Sequence, residues 1–147
     1  MDPGNRIHTG AKHVAYWFEF GVSKGPKVLF DALDKSKKII LMRAIQDFAE
    51  SEEINTDRGH KESWSAEKID GSLILFKYKC KGYLERFFAV LHDHPEGRRS
   101  VIVHGFKGHQ STRKEKDDPR YQAEKIKAEV KASYYLIWAE QCPGDVQ

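Results

Sequence analysis

The order of apolar and polar positions predicts one strand, two helices, three further strands and a last helix. Residues 14–20, VAYWFEF, are aromatic and β-prone and read as a strand, which the stretch from Gly21 to Pro26 breaks. Helical spacing starts at Val28, where Val28, Leu29, Ala32 and Leu33 share a face. Asp34 is placed to cap a second helix. In that helix Ile39, Ile40, Met42, Ala44, Ile45, Phe48 and Ala49 recur at helical spacing. The pattern therefore predicts a helical hairpin over residues 26–50, with a short join near Leu33 and Asp34. Residues 51–68 are polar and read as a loop around Trp64.

Alternation then becomes strict. Over residues 72–80, Leu73, Leu75, Lys77 and Lys79 fall on one face and Ile74, Phe76 and Tyr78 on the other. Residues 83–91 and 100–106 read as two more strands, with turns at Lys81-Gly82 and over residues 93–99. Connections this short require antiparallel pairing. Residues 107–118 form a loop that is first basic and then acidic. Asp118 and Pro119 suit the cap and first position of a helix. Ile126, Val130, Tyr134, Ile137 and Trp138 make a stripe along it, over residues 119–138. Strands and helices in runs, without regular βα alternation, predict an α+β fold: an antiparallel sheet, an N-terminal helical hairpin and a C-terminal helix.

Length and composition narrow the class. The 147 residues fit a single domain over 1–147, with its core at about 14–138. A hydrophobic content of 39% and an aromatic content of 12% argue against a disordered chain. No apolar run approaches the roughly 18 residues that cross a bilayer. The start, MDPGNRIHTG, lacks the apolar segment of a secretory signal, and two cysteines make no disulfide framework. The expectation is a cytoplasmic protein with no membrane partner. The net charge of +3 is too small to announce a nucleic-acid partner, but it is unevenly spread. Residues 77–131 hold 14 basic and 8 acidic side chains, whereas the flanking segments are slightly acidic. A concentrated block of this kind selects anionic partners.

The segments YLERFFAVL and VIVHGFKGH, the basic loop, Pro119 and the helix PRYQAEKIKAEV carry a resemblance. Over roughly residues 14–131 the chain resembles the RelE/ParE superfamily of toxins, and most of all its HigB-like, phage-derived branch. The resemblance implies a RelE-like fold and the toxin component of a type II toxin–antitoxin system. It implies a ribosome-dependent endoribonuclease that cuts mRNA by attack of the ribose 2′-hydroxyl, without metal or other cofactor. Its partners would be the ribosome, mRNA and a cognate antitoxin, often a helix-turn-helix protein. A non-catalytic binding or regulatory protein, or a ParE-type toxin acting on gyrase, are the alternatives. The sequence departs from the family pattern in its N-terminal 13 residues, its tail, and the acids Glu115, Asp117 and Asp118.

Cleavage of RNA without metal needs positive charge at the phosphate, a base and an acid. Arg86 suits the phosphate, because a guanidinium stays charged and binds bidentately. Lys77 and Lys79 on the neighbouring strand suit a base or electrostatic support, since crowded cations disfavour one another's charged forms. His109 is a candidate acid. Lys107, Arg113 and Lys114 are candidate RNA-binding residues. Alternating lysines are equally the pattern of a solvated face, and Arg86 suits a structural salt bridge to the helical hairpin. His92-Asp93-His94 has ligand-like spacing without a third ligand, so no metal site is expected. His104 suits core packing as well as acid–base work.

Overall fold

The computed structural model describes residues 2–19, 25–54, 64–80, 83–109 and 117–141. The described residues form six strands: β1 (Gly4–Thr9), β2 (Val14–Phe18), β3 (Trp64–Lys68), β4 (Leu73–Cys80), β5 (Tyr83–His94) and β6 (Gly97–His109). Three helices accompany them: α1 (Pro26–Asp31), α2 (Lys35–Ser51) and α3 (Pro119–Gln141). The strands form one sheet in the order β1-β2-β6-β5-β4-β3. Helices α1 and α2 pack on one face of it and α3 on the other, so the sheet is the middle layer.

This arrangement corrects the predicted fold class. The sheet is mixed, because β2 runs parallel to β6, with Val14 opposite Arg99 and Trp17 opposite Ile102. Short turns dictate antiparallel pairing within the β1–β2 hairpin and the run from β3 to β6, and not between β2 and β6. The β2–β6 pairing joins segments more than eighty residues apart, which no local signal encodes. There is also no N-terminal helical hairpin. A β1–β2 hairpin comes first, and α1 has only six residues before α2 begins with seventeen. Trp64 starts a strand instead of sitting in a loop, and its ring is buried against Tyr78 and Phe87. The turn expected over residues 93–99 shrinks to Pro95 and Glu96, because β5 and β6 extend to meet it.

The alternation read for β4 appears in the layers. Ile74, Phe76 and Tyr78 join the core under α2, with Trp17, Phe48 and Phe87. Leu73 and Leu75 pack on the side of α3. Strand β2 is apolar on both faces because both are covered: Ala15 and Trp17 face α2, and Tyr16 and Phe18 face α3. At the β1–β2 turn the chain crosses α2 closely. A Cβ on Gly10 would lie 2.4 Å from the Ala49 carbonyl oxygen, so only glycine fits.

Helix α3 starts as the sequence predicts, with Asp118 Oδ1 accepting the Arg120 amide at 3.0 Å. The face it buries is not the predicted stripe. Tyr121, Ala128, Ala132, Tyr135 and Ala139 turn inward, and the alanines let the helix lie close to the sheet. Ile126, Val130, Tyr134 and Ile137 are 61%, 63%, 57% and 56% exposed, while Trp138 packs partly against the core.

Candidate functional site

The predicted cations divide between the two faces of the sheet. Lys77 and Arg86 are direct cross-strand partners and face α3. Arg86 is 2% exposed, and its guanidinium lies 5.1 Å from the ring centre of Phe106 and 5.2 Å from that of Tyr121. Tyr121, in the first turn of α3, thus closes over it. Lys77 Nζ sits 3.3 Å from Glu67 Oε1 on β3, with both side chains largely covered. Arg120 lies exposed at the same end, over Phe106 at 5.8 Å, and donates to the Lys107 carbonyl at 2.9 Å. Two guanidiniums and a tyrosine thus gather around one phenylalanine ring.

Lys107 pairs with Glu85 across the sheet and faces α2 instead. There Glu85 is 1% exposed, with Lys37 Nζ at 3.3 Å and Lys107 Nζ at 3.9 Å from its Oε1. Lys107 is half in solvent, at 52%. Lys79, one residue before the end of β4, is in register with Leu84, and His109, the last residue of β6, with Tyr83. Arg113 and Lys114 lie outside the described residues. The structure therefore brings Lys77 and Arg86 together and separates Lys107 from them.

A second polar group sits farther along the face under α3. His104 Nε2 is 2.5 Å from Glu124 Oε2, and Lys131 Nζ is 2.8 Å from His104 Nδ1. A lysine donating to Nδ1 fixes the neutral ring with its proton on Nε2, directed at the carboxylate. Burial holds the His104 pKa below its usual value, and the Lys131 charge helps. Burial also lowers Lys131. Burial pushes the Glu124 carboxyl up, but hydrogen bonds from His104 and Lys127 outweigh it and leave the pKa lowered. With both ring nitrogens engaged, His104 ties α3 to the sheet. It has no spare nitrogen for acid–base work in this arrangement.

At the opposite end, His92 and Arg99 are cross-strand partners under the second half of α3. Arg99 Nε donates to Tyr135 Oη at 2.6 Å, and that hydroxyl is hydrogen-bonded to His92 Nδ1 at 2.9 Å. Burial, followed by the Arg99 charge, lowers both His92 and His94. On the α2 face of this end, Arg98 forms a bidentate pair with Glu52 (2.7 and 3.0 Å) and reaches Asp93 at 2.6 Å. Glu52 also accepts from His13 at 2.8 Å. Among the described residues no group of three or more His, Cys, Asp or Glu gathers as a metal site would require.

Sequence reasoning missed Arg99, Arg120 and the role of Tyr121. A signal for the last was present: Tyr121, Ala128, Tyr135 and Ala139 recur at helical spacing, on a face that also carries Glu124 and Lys131, seven residues apart. No described helix is long and apolar enough to cross a membrane. No protein-family model matches this sequence, and no curated protein or solved structure is significantly similar to it.

Proposed function

We propose that this chain is the toxin of a toxin–antitoxin pair, acting in the cytoplasm by cutting mRNA on the ribosome. The reading rests on the resemblance over residues 84–107 and on the basic block over residues 77–131. The observation that carries it is the direct pairing of Lys77 with Arg86. They meet at the end of the sheet where β6 runs toward the basic segment holding Arg113 and Lys114.

In the proposed reaction the ribose 2′-oxygen forms a bond to the adjacent phosphorus and the 5′-oxygen leaves. The products are a 2′,3′-cyclic phosphate and a 5′-hydroxyl. Lys77 or Lys79 takes the 2′-proton or supports the charge, and His109 supplies a proton to the leaving oxygen. Arg86 holds the phosphate oxygens, which requires the first turn of α3 to lift Tyr121 away. Lys107, Arg113 and Lys114 bind the RNA backbone. A cognate helix-turn-helix antitoxin covers the basic face when the toxin is silent.

Induced expression with primer extension on cellular mRNA tests this. Growth arrest with codon-phased cuts, lost in Arg86→Ala and reduced in Lys77→Ala, is the expected outcome. Arrest without cuts redirects the reading to gyrase or another target. No arrest at all overturns it.

A second reading, a non-catalytic binding module of phage origin, is favoured by one observation. Arg86 is buried between aromatic rings, as a structural arginine would be.

A further inference from the structure

Arg99 is a buried cation without an anion. It is 3% exposed, and a guanidinium does not shed its proton to escape the cost of burial. Its Nε donates to Tyr135 Oη, but its Nη2 is buried with no hydrogen-bond partner. Among the described residues no carboxylate pairs with it. The acids of this end turn elsewhere. Asp93 holds Arg98 on the other face of the sheet, and Asp2, Glu96 and Glu140 are exposed.

A second donor is left over beside it. The Glu96 amide donates to His94 Nδ1 at 3.1 Å, so the neutral ring carries its proton on Nε2. That nitrogen is also buried without a closed hydrogen bond, although the Ala139 carbonyl lies near it. The Arg99 charge bears directly on the His94 ring, so the two groups share one neighbourhood. What this end lacks is therefore an acceptor, and beside a fixed positive charge the fitting acceptor is an anion.

The surroundings hold the guanidinium in place. The Tyr135 hydroxyl accepts from Arg99 and is hydrogen-bonded to His92, and the ring centre of Tyr135 lies 5.5 Å from the guanidinium carbon. The exposed turn at Pro95 and Glu96 adjoins His94 and gives a small ion a short way in.

We propose that Arg99 and His94 form a binding site for one oxyanion of the phosphate class, with Tyr135 and His92 positioning the guanidinium. The site is separate from the Lys77–Arg86 pair. Phe106, opposite Arg86, stands roughly 20 Å farther along β6 by the rise of a strand.

Calorimetry and thermal unfolding of the full chain, titrated with inorganic phosphate against chloride at constant ionic strength, test the proposal. One saturable site is expected, with a rise in melting temperature that chloride does not give. In proton–nitrogen correlation spectra the His94 imidazole should shift with the same midpoint, while that of His104 stays. Arg99→Gln is expected to weaken binding about tenfold or more, and His94→Phe to weaken it as well. Circular dichroism checks that each variant folds. If Arg99→Gln does not, Arg99→Lys keeps the charge, loses the guanidinium fork and carries the same test. A 5′-phosphorylated trinucleotide is titrated in parallel. Tighter binding of that probe assigns the site to the phosphate end of a nucleic acid, and equal or weaker binding assigns it to the free ion. A folded wild-type chain whose melting temperature and His94 resonances ignore both probes overturns the proposal, as does undiminished binding in Arg99→Gln or Arg99→Lys.

Discussion

Arg86 and Lys107 stand on adjacent strands but on opposite faces of the sheet, the one beneath α3 and the other beside Glu85 and α2. A single phosphate cannot rest on both. Their contributions to RNA affinity are therefore expected to be independent. A double-mutant cycle with Arg86→Ala and Lys107→Ala, read by fluorescence anisotropy on an RNA oligonucleotide, should be additive within about 0.5 kcal/mol. A larger coupling would mean that the two converge on one group.

The same two residues should separate in stability. Arg86 is buried over two aromatic rings, and a desolvated contact of this kind contributes about 2 kcal/mol. Arg86→Ala also leaves space behind, so a loss of about 2–4 kcal/mol is expected in denaturant unfolding. Lys107→Ala, at a half-exposed position, should stay within about 0.5 kcal/mol.

Stability should fall as pH drops through the histidine range. Burial holds His13, His92, His94 and His104 below their usual pKa of 6.5 in the native state. The unfolded chain therefore takes up protons near pH 6.5 that the native chain refuses until lower pH, and unfolding gains. A second decline belongs below about pH 4.5, where Glu52 and Glu124, both lowered, lose the charge their partners need. The melting temperature measured from pH 8 to pH 4 should fall in these two stages. A flat profile between pH 7 and pH 5 would contradict the burial of neutral rings.

Glu52 ends α2 in the left-handed region, at φ 56°, and holds Arg98 in two hydrogen bonds. Removing Arg98 leaves that carboxylate and His13 without their clamp, so Arg98→Ala should cost about 2 kcal/mol. Glu52→Gly loses the Arg98 and His13 pairs while Arg98 keeps Asp93, and it relaxes the backbone, which recovers about 1 kcal/mol. Urea unfolding of the two variants checks the order. Equal losses would mean that the left-handed turn carries no strain.

The central elements were legible because their signals are local. Alternation through residues 72–80 fixed which side chains of β4 face α2, and Asp118-Pro119 marked the start of α3. The parallel β2–β6 pairing was not legible, because strands distant in the chain meet through tertiary packing alone. On α3 the bulkier apolar row drew the prediction, while the sheet accepts Ala128, Ala132 and Ala139, whose small size permits close approach. At the candidate site, Lys77 and Arg86 followed from strand register. The separation of Lys107 was hidden by reading residue 107 as loop. Strand β6 continues to His109, and alternation then sends Lys107 to the other face.

The proposed cleavage of mRNA rests on a site built on the Lys77–Arg86 pair. Its most direct test is purified chain added to translating ribosomes on a defined mRNA, with the cut ends mapped at nucleotide resolution. Codon-phased cuts ending in 2′,3′-cyclic phosphate are expected, lost in Arg86→Ala and retained in the surface variant Glu140→Gln. Intact mRNA with the wild-type chain, or cuts undiminished in Arg86→Ala, would contradict it.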